Sequence, residues 1–323
     1  MRLFGKEYEV INTLEYITLA DSFIKENKIG SGHGEAKLYV GNESDRLFEF
    51  FGDFDIDCFF CKKDFNMFLA DSKQEYMNPQ QNYIRFDNMQ ERYEKYVQEI
   101  SELNEEILKF KLYRVDVEPP RVYVNAESTF WNLMRRIALP NISYLSVLKL
   151  KDNENKFVYY FRIFIDYKFD INSYQMPEEK EQQSIIEEDT SLSSKQKDNI
   201  VRARIGQGEY RNKLLEECPF CPFTMVNDER LLIASHIKPW AKSDNKEKVD
   251  PKNGFMFTPT FDKLFDRGFI SFKDDKTLMV SPWISPMNQK RLNIRDGIKI
   301  NTLPLDETRC KYLEYHRNEI FKS

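Results

Sequence analysis

An α+β protein in two parts is what the 323-residue sequence predicts: a mixed N-terminal domain with a long helix and β-strands, then a C-terminal domain built on a strand, loop, strand and helix. Three observations predict it. Apolar residues from Met89 to Phe110 recur at alternating steps of four and three. Runs rich in Val, Ile, Tyr and Phe come after Pro119 and Pro120. A polar stretch at 173–200 then separates these from a third pattern, LLIASHI, FMFT and TFDKLFDRG. The length suffices for two domains that each bury a core.

Residues 1–86 mix short strand-like runs (KLYV, FEFFGDF) with helical patches. The Gly-rich GSGHGEAK around His33 lacks the Lys-Ser/Thr ending of a phosphate cradle. From Met89, the residues Tyr93, Tyr96, Ile100, Leu103, Ile107 and Phe110 complete an a/d seam, which predicts a helix over 89–110. That helix either packs on its own domain or forms a coiled coil that makes a homodimer. RVYVNA, YLSVLKL and KFVYYFRIFIDYKF read as strands, the last two as a hairpin around DNEN at 152–155. Residues 1–172 are thus read as one mixed domain, 173–200 as a polar linker and 201–323 as the second domain.

Hydrophobic residues at 41% and charged residues at 31% describe a folded chain rather than a disordered one. MRLFGKEYEV has no apolar secretory core, and FVYYFRIFI is too short to span a bilayer and is broken by Arg162. The expectation is a cytoplasmic protein with no membrane partner, whose five cysteines are thiols or metal ligands rather than disulfides. The net charge of −5 is uneven: residues 201–323 carry 22 Lys and Arg against 17 Asp and Glu, residues 1–200 carry 26 against 36. A basic C-terminal part favours a polyanion there.

The chemistry concentrates in LLIASHIKPW and the thirty or so residues after it. LLIASHI, a polar loop, Asn253-Gly254 and FMFT lead to Pro259 at a helix start and TFDKLFDRG, with Gly268 as its C-cap. Strand, loop, strand, helix is the order of a ββα metal finger. Phosphodiester hydrolysis needs a base near neutrality and a divalent cation on the phosphoryl oxygens. His236 suits the first need, and Asp262 suits the second as a hard oxygen ligand. Asn253 is placed to tie the loop through its side-chain amide. Asp266 shares the face of Asp262 one turn on, and is assigned to the turn at Arg267-Gly268.

GQGEYRNKLL, CPFT, LLIASHIKPW, NGFMFTPTFDKLFDRGFISF and YLEYHRNEIF together resemble the HNH endonucleases found at the C-terminus of restriction-type proteins, over residues 204–321. The resemblance implies a ββα-metal fold and DNA cleavage with Mg²⁺ or Mn²⁺. His236 then matches the general base, Asn253 the middle asparagine and Asp262 the third motif residue, a departure in residue type. Ser235 stands where many members carry an acidic or histidine ligand. The metal is then held with waters completing its shell, with a weak Ser235 contribution, or with Asp266 entering.

CFFC at Cys58 and Cys61 and CPFC at Cys218 and Cys221 have the spacing of zinc ligands, and four thiolates would complete a structural Zn²⁺ site. The Phe residues between them equally suit buried, metal-free cysteines. Arg211, Lys238 and Lys263, with Gln207 and Arg267, are candidates for DNA contact; His316 is read as packing, and Trp240 as packing the loop. Two other functions fit the same residues: a DNA-binding or regulatory protein whose finger is catalytically silent, motivated by Ser235, and an RNA-cleaving effector.

Overall fold

The computed structural model describes residues 1–24, 37–43, 45–52, 54–79, 88–165, 177–204 and 208–323. His33 and Gln207 lie outside the described residues. The chain forms two compact units, Met1–Asn172 and Ser173–Ser323.

The first unit is built on a mixed sheet. Its strands are β1 (Glu9–Thr18), β2 (Leu38–Asn42), β3 (Ile56–Cys61), β4 (Ile107–Val115), β5 (Arg121–Asn125), β6 (Ser143–Lys151) and β7 (Phe157–Ile165), in the order β1-β6-β7-β3-β4-β5-β2. The pairing of β3 with β7 is parallel and the other pairings are antiparallel. The DNEN turn joins β6 to β7: the Asp152 carboxylate accepts from the backbone N–H of Glu154 and Lys156, at 2.9 and 2.8 Å, and Asn155 takes the left-handed φ of +65°.

One sheet face packs Phe60, Phe110 and Phe161 against Trp131 of α3 (Thr129–Ile137), which the Ser128 hydroxyl caps. On the other face lies α1 (Lys62–Met77), whose buried Asp64 accepts from the Tyr160 hydroxyl and pairs with Arg162 at 3.3 Å. FEFFGDF departs from its strand-like reading. Asp45–Phe51 is a helix whose Phe50 and Phe51 carbonyls accept from the Tyr159 hydroxyl.

The helix predicted over 89–110 is corrected. Helix α2 spans Met89–Ser101, and its Met89, Tyr96 and Ile100 are buried within their own unit. Beyond it Leu108, Phe110 and Leu112 are buried while Lys109 and Lys111 are exposed. That alternation has period 2, so the segment joins the sheet and the seam ends after two heptads. The coiled-coil homodimer loses its basis, because the seam faces α1 through contacts such as Tyr76–Tyr93, with ring centroids 5.6 Å apart.

The polar stretch 173–200 is likewise not a bare linker. It contributes α4 (Pro177–Glu188) and the start of α5 (Ser194–Arg204). Ile186 and Ile200 bury with Trp240, whose indole N–H donates to the Ile200 carbonyl at 3.1 Å. A single well-placed apolar residue suffices to dock a short helix, and among so many acidic and amide neighbours it is too sparse a signal to read as periodic.

The finger comes after α6 (Gly208–Glu217). Strands β8 (Ile233–His236) and β9 (Gly254–Phe257) pair antiparallel, with His236 opposite Gly254, and lead into α7 (Pro259–Asp266). Pro259 sits in its first turn. Its end is a Schellman closure: Phe269 N–H donates to Leu264 and Gly268 N–H to Phe265, each at 2.8 Å, with Gly268 at φ +67°. The hairpin of β10 (Ile270–Phe272) and β11 (Leu278–Val280) and the helix α8 (Glu307–Tyr315) complete the unit. Phe255, Phe257, Phe265 and Phe272 form the core beneath the finger. Among the described residues, no helix is long and apolar enough to cross a membrane.

Candidate active site

Strand β8 ends at Ser235 and His236, and successive strand residues turn to opposite faces. Buried Ser235 faces α7, where its hydroxyl donates to the Asp266 carboxylate at 3.3 Å and also bonds Asp262. Asp262 and Asp266 are one helical turn apart, so their carboxylates share a face. Both are held above the usual carboxylate range, Asp262 by burial, Asp266 by burial and by the neighbouring charge of Asp262, with the Ser235 bond acting against each shift. Asp266 itself is open to solvent, and water there screens part of the repulsion.

His236 turns the other way. Its ring stacks on Tyr210 of α6, centroids 4.4 Å apart and planes 8° off parallel. Nε2 lies 3.0 Å from the Lys248 carbonyl. A carbonyl only accepts, so in the neutral ring Nε2 carries the proton and Nδ1 keeps its lone pair. Burial pushes the imidazole down to about 4, against the pull of the Lys248 bond, which keeps it neutral at pH 7. The bonds of His236 do not include Asp262 or Asp266.

Asn253 closes the loop that brings Lys248 to the imidazole. Its amide donates to the Lys238 and Glu247 carbonyls, both at 3.2 Å, and to the Ser243 hydroxyl at 3.3 Å, while its oxygen accepts from Lys238 N–H at 2.8 Å. Its backbone carbonyl receives the Tyr210 hydroxyl at 3.2 Å and Ile237 N–H at 3.1 Å. Gly254 leaves room for this: a Cβ there would stand 2.3 Å from the Tyr210 hydroxyl and 2.9 Å from Leu214. Buried Arg309 of α8 clamps the same strand, donating to the Gly254 carbonyl at 3.3 Å and pairing with Asp306 and Glu217 at 2.7 and 2.8 Å.

The expected site residues therefore form two neighbouring groups, Ser235 with Asp262 and Asp266, and His236 with Asn253. Asp266 is corrected from turn-pinning to carboxylate partner; the four-residue spacing from Asp262 was its signal. Tyr210 had none, since a lone tyrosine before the motif is indistinguishable from core.

Two of the DNA-contact candidates are engaged within the fold. The Arg211 guanidinium donates to the Leu232 and Glu229 carbonyls at 3.0 and 2.6 Å, holding the approach to β8. Lys238 is paired with Glu247 at 2.5 Å and lies 5.5 Å from the Tyr315 ring, so it fixes the loop. Lys263 is exposed on α7. His316 donates and accepts within the core, bonding Ser271 and the Phe265 carbonyl, each at 3.0 Å.

The zinc expectation meets a geometric obstacle. Cys58 and Cys61 are three residues apart on one strand and point to opposite faces, so they do not chelate one ion. Burial raises the thiols of Cys58, Cys61 and Cys218, Cys61 to about 12 and Cys218 to about 11. Cys218 instead accepts Met256 N–H at 3.4 Å. Among the described residues, no three or more His, Cys, Asp or Glu gather to hold a metal ion. The donor set present is smaller: two mutually repelling carboxylates and a hydroxyl, hard oxygens that suit Mg²⁺ or Mn²⁺ with water filling the shell.

The ββα finger thus carries an imidazole held neutral at a strand end and a carboxylate pair on the next helix, the two turned to opposite faces of the strand. Residues 221–273 match the HNH endonuclease family, so the C-terminal region carries an HNH endonuclease segment. A search of curated proteins gives no match to the chain.

Proposed function

We propose that this protein is a cytoplasmic, metal-dependent endonuclease that hydrolyses DNA in restriction or phage defence, with residues 1–172 selecting the target. The observation that carries the reading is the His236 tautomer: Nε2–H is committed to the Lys248 carbonyl, which leaves Nδ1 to take a proton from water. Tyr210 holds the ring flat and Asn253 holds the loop that carries Lys248. Asp262 and Asp266, with Ser235 between them, would hold a divalent cation, which supplies charge neutralisation at the scissile phosphate and leaving oxygen. Relief of the repulsion between the two carboxylates favours that occupancy. The exposure of Lys263 on α7 supports a role for it in meeting a phosphate.

The test is plasmid nicking with Mg²⁺ or Mn²⁺, wild type against His236→Ala. Cleavage that falls about a hundredfold to ten-thousandfold in the variant supports the reading. Cleavage unchanged in the variant, or none in the wild type alongside retained DNA binding, overturns it in favour of a silent finger. Degradation of RNA and not of DNA assigns an RNA-cleaving effector.

A further inference from the structure

The α1-bearing face of the N-terminal sheet has an uncovered part, toward β4, β5 and β2, that differs from the rest of its unit. On β4 the alternation that buries Leu108, Phe110 and Leu112 turns Lys109, Lys111 and Tyr113 to the other side. The register carries that face outward, with Val115 opposite Tyr123 and Tyr123 opposite Tyr39. Tyr113 and Tyr39 are 36% and 45% exposed. The Tyr39 and Tyr123 rings lie 5.4 Å apart, and the Lys37 ammonium stands 4.9 Å over Tyr123.

Toward the other end this face opens into a cavity of about 610 Å³, where Lys6, Lys109, Lys111 and Lys156 face two carboxylates, Asp57 and Asp152. A second concavity of about 410 Å³ continues past Lys111 to Tyr113 and Glu127. Phe4 also lines the larger cavity, at the tip of the hairpin formed by Arg2–Leu3 and Lys6–Glu7. It is 45% exposed at φ +50°, with Gly5 after it at φ +80°. A bulky residue is uncommon in that conformation, and here it places an aromatic ring at a cavity in water.

The excess of cations is local. Residues 1–172 carry 23 Lys and Arg against 29 Asp and Glu, so the unit as a whole is acidic. An apolar protein partner has no use for the lysines, and a small free anion has none for the row of rings. A duplex keeps its bases stacked inside, away from such rings. Ammonium groups alternating with exposed rings on one sheet face match a strand whose phosphates and unstacked bases are both on offer. The ion pairs Lys156–Asp57 at 2.7 Å and Lys111–Asp55 at 3.7 Å are exposed to water and bind weakly enough to yield to phosphate.

We propose that this face and its cavity bind single-stranded DNA, with Lys109 and Lys111 on phosphates and Phe4, Tyr39 and Tyr113 stacking on bases. The choice of DNA over RNA rests on the nuclease reading; the site itself does not.

The experiment is fluorescence anisotropy of a labelled mixed-sequence 20-mer, as single-stranded DNA, duplex DNA and single-stranded RNA, with the full-length His236→Ala protein in EDTA. Lys109→Glu/Lys111→Glu and Tyr39→Ala/Tyr113→Ala are compared with Lys73→Glu/Lys95→Glu, an equal charge reversal on the helices. Thermal melts confirm that each is folded. Single-stranded DNA is expected to bind best, with each test pair weakening it at least tenfold and the helix pair within twofold of the parent. The lysine pair should also flatten the log–log salt slope by about 1.4. Equal binding by the lysine pair and the helix pair, indifference to the tyrosine pair, or a preference for duplex or RNA overturns the proposal. Because no cleavage is measured, the two readings fail separately: absence of nicking by the wild type sinks the nuclease reading, and binding in this assay leaves the present one standing.

Discussion

His316 and His236 are alike in one respect, burial that holds each imidazole down to about 4, yet they do different work. Both nitrogens of His316 are bonded and its ring lies 3.9 Å from Phe265, so it has nothing left to offer a substrate. It does set an acid limit on the fold. Between its unfolded value near 6.5 and its folded value near 4, the unfolded chain binds a proton that the folded chain refuses. Stability is therefore complete above pH 6.5 and falls as pH drops to about 4, by about 3 kcal/mol for this residue. Urea melts at pH 7 and pH 4.5 should show a smaller loss in His316→Phe than in the wild type; equal losses would refute the assignment. At the carboxylate pair the sign of charge is the issue. Asp262→Asn removes a like charge beside Asp266, so without metal the variant should melt at or above the wild-type temperature. Millimolar Mn²⁺ should then raise the wild-type melting temperature and leave the variant unmoved, since only a ligand that prefers the folded state shifts it. Asp266 itself was visible in the sequence as a helical neighbour of Asp262. Its role was not, because a helix-terminal Asp before Arg-Gly reads equally as part of a turn until Ser235 is seen to bond it.

The elements divide by how local their signals are. The finger was legible because each of its parts announces itself nearby: a short apolar strand, Asn-Gly at the start of the next, Pro at the head of the helix and Gly at its end. The seam over 89–110 misled because a period of 3.5 and a period of 2 coincide over the residues where they meet, and only the Lys-Leu alternation after Ile107 separates them. Sheet order was not legible at all, since β3 lies beside β7 across a long intervening stretch of chain and no local pattern encodes that. The loop between the finger strands also has a long-range dependence, one that makes a prediction. Asn253 supplies four side-chain bonds from a buried position. Asn253→Ala leaves those loop groups without partners and frees the Lys248 carbonyl from its place, costing about 2–4 kcal/mol. Nicking activity should fall with it, and Asn253→Asp, which keeps the acceptor but not the donors, should recover only part. A variant with wild-type melting and nicking would show that the loop holds itself.

At the scale of the whole molecule, the question is where the C-terminal unit begins, and the side chains answer it differently from the composition. The acidic stretch from 173 looks like spacer, but Ile186 and Ile200 are buried with Trp240, and Trp240 is the residue that starts the loop of the finger. Lys248, whose carbonyl orients His236, also stands over that indole, its ammonium 4.5 Å from the ring. The docked helices thus buttress the base through two residues of the loop. Expressed alone, residues 173–323 should unfold in one cooperative step, whereas residues 206–323, which lack both isoleucines and the Ile200 carbonyl, should be less stable by about 3–6 kcal/mol, the worth of two buried aliphatic side chains. The shorter fragment should also expose Trp240, seen as a red shift of its fluorescence, and lose nicking activity before it loses helix content. Fragments of equal stability and equal emission would return 173–200 to the status of a tether and detach it from the chemistry of His236.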